Sequence, residues 1–547
     1  PDLQANIWTN TAEIAGNGID DDGNGYIDDV HGWDFVDNDN DPSADAGNGE
    51  GHGTMVAGCI GAVGNNGIGV AGVNWNVSIM PLKFSGDVAS ELAALNYAAA
   101  NGAQIVNASW GGPQFSFAES AGMQTLLDNG ILLVAAAGNY DGNNDRVLDY
   151  PSSLPHANIL AVSAYKNDGN LTSWSHFGAT TVDVAAPGSG IYTTTTPNTY
   201  DFVSGTSFSA PYTAGIAALI LAQYPTLSYQ EVKGRIMASV DTMNQKMLNA
   251  TDGRVNAAKA LTMPAQPELV IADLQLSDNN NNQLDPNESI NLNIELENVW
   301  LAATGITASL SSSHALVSVF PASVSWANLN MGAKAFANSA FTLNIGDISG
   351  FSHIPFTLTI QTNNGVSFTR HFNLDIGTLI ADTIHQGQIM RHDQDEFQYY
   401  HIDVPAGSAF LNITSAAQND IDILLRFAAP SQFDYALYSI NPKFGRDPNT
   451  IVSVAAHTGN EQILISQPQA GTWFVTVISY DQKPTNYQIL ASTTSSQALV
   501  PSSSSSSSKS SLCLSPTWLT AWSNFTLLLL LLYFMRQQRS TITRKST

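Results

Sequence analysis

The sequence predicts an α/β protein: a parallel-sheet domain, then two β-sandwich domains, then a transmembrane segment at the C-terminus. Three observations carry this. Residues 77–225 alternate between apolar strand-like and helix-like stretches, the mark of repeated βαβ units. From about 266 the period changes to two, with turn residues between short apolar runs. The last apolar run, "WLTAWSNFTLLLLLLYFM" (518–535), holds 18 residues without a charge. At about 1.5 Å per residue it reaches about 27 Å, enough to span a bilayer.

In chain order, "VSIMPLKF" (77–84), "AQIVNASW" (103–110), "ILLVAAAG" (131–138) and "NILAVSAY" (158–165) read as buried strands. The stretches 89–102 and 118–130 read as helices that each end on a Gly. Functional residues of such a sheet belong in loops at the strand C-termini. "ELVIADLQL", "SINLNIELENV" and "PFTLTIQTN" begin the first sandwich; "DIDILLRF", "GTWFVTVISY" and "NYQILAS" belong to the second. The expected boundaries are 1–264 for the α/β domain, 265–378 and 379–494 for the sandwiches, and 495–517 for a Ser-rich linker. A span at 518–535 and a basic cytoplasmic tail at 536–547 follow.

The 547 residues hold 20 Lys and Arg against 46 Asp and Glu, a net charge of −26. That excludes nucleic acid as a partner, which needs basic surface. It suits a secreted protein, calcium ligation or a saline medium. Two cysteines in unlike contexts, Cys59 and Cys513, exclude a disulfide framework.

The chemistry starts from "GTSFSAP" (205–211), which sets small polar residues at the mouth of an apolar helix. One reading is a helix cap. The other is a nucleophile, Ser207, in the positive field of a helix N-terminus. A matching base is His52 in "GEGHGTMVAG", flanked by glycines that admit close backbone approach. "VAAAGN" ends a buried strand on Asn139, whose amide can donate to a developing oxyanion. "NASWGG" ends another on Ser109, Trp110 and Gly111, an extended edge that can pair with a peptide backbone. Taken singly, each has a plain structural reading as a turn, a cap or a core histidine.

Together, "GHGTMVAG", "NASWGG", "AAAGN" and "GTSFSAP" occur in the order found in the subtilisin-like serine proteases, which residues 1–260 resemble. The resemblance implies a subtilisin-like fold and endopeptidase activity. It makes Ser207 the nucleophile, His52 the general base and Asn139 the oxyanion donor, with the Ser207 N–H as second donor. Ser109, Trp110 and Gly111 would line the substrate cleft, with Ala136 and Gly138 on the opposite wall. One alternative is a processing protease for one partner, in which Asp149, just before "YPSS", approaches the pocket floor and favours a basic residue before the cut. The resemblance also places the triad Asp upstream of Asp2, on a strand missing from the chain as written. The chain alone is therefore expected to be inactive.

Calcium is the expected cofactor. "NNGIGVAGV" (65–73) resembles the family's calcium loop, with Asn66 and the carbonyls of Ile68 and Val70 as ligands and Asp2 completing the set. Independently, "DDDGNGYID" (20–28) spaces Asp20, Asp22, Asn24 and Asp28 like an EF-type loop, with Asp29 a candidate for the missing bidentate ligand. Residues 379–492 resemble the pre-peptidase C-terminal domains appended to secreted peptidases. The expected partners are a protein or peptide substrate and a membrane reached through the C-terminal helix. The competing reading is a non-catalytic surface adhesin on a protease-like domain.

Overall fold

The computed structural model describes residues 1–44, 51–146, 148–244, 248–348, 350–389, 397–417, 419–428, 451–453, 460–479, 484–494 and 513–514. The apolar run at 518–535 lies outside them. Among the described residues no helix is long and apolar enough to cross a membrane. The chain divides into two compact units, one reaching Gly377 and one beginning at Thr378.

The first half of the first unit is a layered α/β structure. Strands β1 (Trp33–Asp34) and β2 (Leu82–Lys83) form a small parallel pair. The central sheet holds β3 (Ile105–Ala108), β4 (Leu132–Ala136), β5 (Ile159–Tyr165) and β6 (Val184–Pro187), all parallel and neighbours in that order. A hairpin, β7 (Ile191–Thr195) with β8 (Thr199–Val203), stands outside it. Short strands β9 (Asp241–Thr242) and β10 (Gly253–Arg254) close the far edge.

The helices are α1 (His52–Gly61), α2 (Val88–Ala100), α3 (Phe117–Asp128), α4 (Thr206–Gln223), α5 (Tyr229–Ala238) and α6 (Ala257–Thr262). Strand β4 shows how the layers are sorted. Leu132, Val134 and Ala136 pack with α4, α5 and α6, while Leu133 and Ala135 face Leu95, Met123 and Leu126 of α2 and α3. Successive side chains of a strand point to opposite faces, so a strand covered on both sides reads as a continuous apolar run. Each Leu or Val removed from water here contributes about 1.5–3 kcal/mol.

Caps explain where most helices begin. The Asp87 carboxylate accepts from Ala89 N and Ser90 N at the start of α2, Ser116 caps α3, and Ser228 with Glu231 forms a capping box on α5. Helices α1 and α4 are the exceptions, with Gly51 and Gly205 at the N-cap and so no side chain to cap with.

One strand differs from expectation. Of 77–84 only Leu82–Lys83 is a strand, paired with β1 instead of joining the central sheet. Pro81 has no N–H for a ladder, and Ile79 makes only an isolated bridge to Ile7.

The rest of the first unit is a two-sheet β structure over 269–376. One sheet runs through 269–277, 289–298, 341–345 and 317–320, the other through 324–325, 307–312, 352–361 and 367–376. Ile290, Leu292, Ile294 and Leu296 alternate into its core against Phe356, Leu358 and Ile360. It packs firmly on the α/β layers. Trp300 lies on Gly234 of α5, where an added Cβ would meet its side chain at 2.8 Å. The Arg235 guanidinium sits 4.6 Å from the Tyr224 ring and 5.3 Å from that of Trp300. The second unit is also built of two sheets, with 397–404, 421–427 and 471–479 in one and 384–389, 410–417 and 485–492, all antiparallel, in the other, where 464–465 also pairs in parallel with 513–514.

Candidate active site

The site is assembled where α1, α4 and the ends of β3 and β4 converge. Helix α1 starts on His52 and is held by the β7–β8 hairpin. Thr194 Oγ1 donates to Thr54 O at 2.7 Å and Thr193 Oγ1 to Met55 O at 2.8 Å. Gly51 and Gly58 leave room for this: a Cβ on either would strike a threonine hydroxyl, at 2.7 Å and 2.3 Å. Cys59 is buried under the same hairpin and its thiol is pushed up to about 11, so it is a packing residue.

His52 keeps solvent access while packing edge-on to Phe208 of α4, with ring centroids 5.8 Å apart. Desolvation by the surrounding protein lowers its pKa from the ordinary imidazole value. No carboxylate among the described residues contributes to that shift.

Helix α4 begins in an unusual way. Gly205 has φ 153° and ψ 154°, a backbone conformation that glycine tolerates best. Thr206 is fully buried and does not line the cleft. Its N–H and hydroxyl both donate to Asn139 Oδ1, at 2.8 and 2.9 Å, and its hydroxyl accepts from Gly138 N at 3.2 Å. The Asn139 carbonyl is thereby fixed, which leaves its NH2 turned outward. A Cβ placed on Gly205 would lie 3.7 Å from Asn139 Nδ2 and 3.6 Å from Ser207 N. Two N–H donors therefore flank one small space that the missing side chain keeps open.

Ser207 is half-buried. Its Oγ donates to Ser109 O at 3.2 Å, and Ser109 Oγ donates to Ser207 O at 2.7 Å. Asn107 Nδ2 supports Ser109 Oγ at 2.8 Å. The end of β3 is thus locked to the start of α4. Beyond it, Trp110 and Gly111 make no backbone hydrogen bond among the described residues, so an edge lies open beside Ser207. Gly112 and Tyr150 exchange two backbone bonds at 2.9 and 2.7 Å. That pairing brings buried Asp149 behind Gly111, where a Cβ would meet its Oδ1 at 2.6 Å. Ala136 is buried in β4. Gly138, φ 120°, is backed by the His176 ring, which a Cβ there would strike at 2.4 Å. His176 is buried, its Nδ1 2.9 Å from Asn144 Oδ1, and burial pushes its pKa down to about 4. It is a neutral prop for the Gly138 wall. Nothing in the local sequence around His176 marks it, since its partners lie 32 and 38 residues away.

The first expected cation site is brought together. Asp2, 2% exposed, has only neutral partners: Asn66 Nδ2 at 2.6 Å, Val70 N at 3.0 Å and Tyr200 OH at 3.2 Å. The carbonyls of Ile68 and Val70 accept no backbone hydrogen bond among the described residues. A buried carboxylate without a cationic partner, beside free carbonyls, fits an oxygen-seeking ion such as calcium.

The 20–28 loop is arranged differently from expectation. Asp20 accepts the N–H groups of Gly23, Asn24 and Gly25, and Asp28 accepts those of Asn17 and Gly18. Both carboxylates are spent on holding the loop's own backbone. Instead Asp22 meets Glu13 and Asp29, with their oxygens within 4.8 Å of one another. Asn24 joins by donating to Asp22 and Asp29, at 3.1 and 2.9 Å. Glu13 Oε2 is buried with no partner, and Tyr97 OH donates to Asp29. Three carboxylates with no neutralising cation among the described residues again fit a divalent ion. Glu13 escaped the sequence reading because it lies outside the spaced motif.

Residues 1–256 match the family model described as "Subtilase family". The chain is 37% identical over 201 residues to subtilisin DY of Bacillus licheniformis, covering 36% of this chain and 72% of that protein. It is 37% identical over 237 residues to thermitase of Thermoactinomyces vulgaris, covering 42% of this chain and 81% of that one. A thermophilic serine proteinase of Bacillus sp. strain AK1 is 36% identical over 238 residues, covering 43% and 56%. The chain belongs to the subtilase family.

Proposed function

We propose that the chain is an extracellular serine endopeptidase that cuts peptide bonds through an acyl-enzyme on Ser207. The reading rests chiefly on the pair of donors, Asn139 Nδ2 and Ser207 N, around the space beside Gly205. A carbonyl oxygen held there gains charge as the tetrahedral intermediate forms, and fixed donors stabilise that charge more than they stabilise the ground state.

The Ser207 hydroxyl leaves Ser109 O by rotation about χ1 and turns toward His52. Its Oγ attacks the scissile carbonyl while His52 takes the proton. The C–N bond then breaks, and His52 passes that proton to the departing amine. Water enters, gives a proton to His52, and its oxygen displaces Ser207 Oγ, which recovers the proton. The open edge at Ser109, Trp110 and Gly111 pairs with the substrate backbone, with Ala136 and Gly138 opposite. No described residue is assigned the role of the triad's acid; without that group kcat is expected to fall by a factor of about 10⁴, so that labelling of Ser207 and hydrolysis are expected to be slow.

Calcium would be held by Asp2, Asn66 and the Ile68 and Val70 carbonyls, and a second ion by Glu13, Asp22 and Asp29. It would supply countercharge and rigidity to the two loops, with no part in bond breaking.

A fluorophosphonate probe should label the protein on Ser207, and Ser207→Ala should remove both labelling and peptide hydrolysis while leaving the near-UV circular dichroism unchanged. A variant that retains most of the hydrolysis would refute the assignment. An unlabelled, folded wild-type protein that binds peptides would favour the adhesin reading.

A further inference from the structure

Asn139 is braced from behind, and the brace leads outward to the first β-sandwich. Asn144, fully buried in the turn 143–146, donates its Nδ2 to Ala137 O at 2.9 Å. A carbonyl can only accept, so Asn144 Oδ1 faces His176 Nδ1, 2.9 Å away, and Nδ1 carries that ring's hydrogen. His176 donates its own backbone N–H to Gly138 O at 3.0 Å, and its ring fills the space behind Gly138. The Asn144–His176 pair thus fixes the two residues that precede Asn139.

That turn, closed by Arg146 N on Asn143 O at 2.9 Å, rests on the sandwich. Arg146 Nη2 donates to Asp375 Oδ2 at 2.8 Å, and His353 Nδ1 lies 2.7 Å from Oδ1 of the same carboxylate. Asp375 and His353 are cross-strand partners on the paired sandwich strands 367–376 and 352–361. Between Asn144 and Arg146, Asp145 accepts five hydrogen bonds from Ala179, Thr180 and Thr181, at 2.7–3.0 Å. Ala179 in turn packs in the apolar core of the sandwich. The plain reading is adhesion between layers, to which a solvent-exposed ion pair would contribute little. Two facts point further. The Asp375 side chain is only 11% exposed and is held from both sides. Arg146 also stands two residues from the buried amide that holds Ala137, with Asp145 tied down between them.

We infer that Asp375 and Arg146 are positioning residues for the oxyanion donor. Through this pair the sandwich holds the 143–146 turn, and the turn holds Ala137, Gly138 and with them the Asn139 amide. This rests on the reading of Asn139 as that donor. The path runs from Asp375 through Arg146, Asn144, His176 and Gly138 to Asn139, and every link is a contact or a step of one or two residues. Fixed donors act by being in place before charge develops. A displacement of about 1 Å, caused far from the chemistry, can cost about a hundredfold in rate. The first sandwich is therefore a working part of the site in the α/β half, beyond any task of its own.

The test uses the full chain and reads ratios to the wild type. Arg146→Ala should label Ser207 with a fluorophosphonate roughly tenfold more slowly, at unchanged near-UV circular dichroism. Its amide hydrogens at 136–139, followed by mass spectrometry of peptic fragments, should exchange several-fold faster, while those of α3 stay as they were. Arg146→Lys, which keeps the charge, should return both readings most of the way. Asp375→Asn, which keeps the shape, should show both defects, and it supplies the test if Arg146→Ala does not fold. Combined with Arg146→Ala it should add nothing, because both break one contact. Wild-type labelling and wild-type exchange at 136–139 in a folded variant overturn the inference and leave the pair as adhesion alone. A loosening spread evenly over the α/β half overturns it too. If the wild type itself does not label, the catalytic reading fails while the brace is still decided: faster exchange confined to 136–139 and 143–146 upholds it, and unchanged exchange overturns it.

Discussion

Thr206 shows how much of the site depends on one concealed hydroxyl. It is buried, yet through its own N–H and O–H it fixes the Asn139 amide by the oxygen, so that the nitrogen is the end offered to solvent. His52 is set by different means, an aromatic edge and local crowding, and its lowered pKa has a definite consequence. As general base it works only when neutral, so kcat/KM should rise as pH increases through its pKa. With that pKa below the ordinary 6.5 and no described carboxylate acting on the ring, the His52 imidazole of this chain should titrate with its midpoint below pH 6.5, as read by NMR. A midpoint above 6.5 would show that a carboxylate, not burial, governs the imidazole. Asn139 and Ser207 stood out in the sequence because each adjoins an apolar run, and His52 because glycines flank it. The role of Thr206 did not, because "GTS" reads only as a cap or as the setting of a nucleophile, and the partner that fixes Thr206 lies 67 residues away.

At the scale of elements, the start of α4 departs from its neighbours. The helices α2, α3 and α5 are capped by side chains, and α4 gives up that contribution, about 1 kcal/mol, to begin on a glycine. Gly205→Ala should therefore act twice. The φ of 153° should cost about 1–3 kcal/mol of stability, measured by denaturant unfolding. The new methyl would also occupy the space between Asn139 Nδ2 and Ser207 N, so kcat should fall by more than the stability loss explains. Unchanged kcat in the folded variant would mean that this space holds no substrate oxygen. The parallel strands were legible because burial on both faces writes a continuous apolar run, as in β4 and β5. The stretch 77–84 has the same texture, but Pro81 and its pairing with β1 keep it out of the main sheet. Apolar runs report burial; they do not name the neighbour.

For the whole molecule, the acidic balance has local expression in two loops whose carboxylates have no cationic partner among the described residues. If those loops hold calcium, excess chelator should lower the melting temperature of calcium-loaded protein by about 5–10 °C, the size expected for loss of a ligand near saturation. Glu13→Gln should reduce that shift, since it neutralises one of three clustered carboxylates. A melting curve indifferent to chelator would rule out a stabilising ion at either loop. The 65–73 loop could be read from its resemblance. The Glu13 contribution could not, because spacing rules describe loops that close on themselves, and this one borrows from upstream.

The site described above joins residues that are far apart along the chain. Ser109 meets Ser207 across 98 positions, Thr54 meets Thr194 across 140, and Asp2 meets Tyr200 across 198. Contacts of such separation form slowly, because much chain must be ordered before any of them is rewarded. A growing or half-folded chain can carry its serine and its histidine, but neither has a place to stand until the whole α/β half has closed. For a protein that cuts other polypeptides, late assembly is a form of restraint. Chains crowded together during synthesis hold no organised site with which to cut one another, and cutting power arrives only with the finished fold.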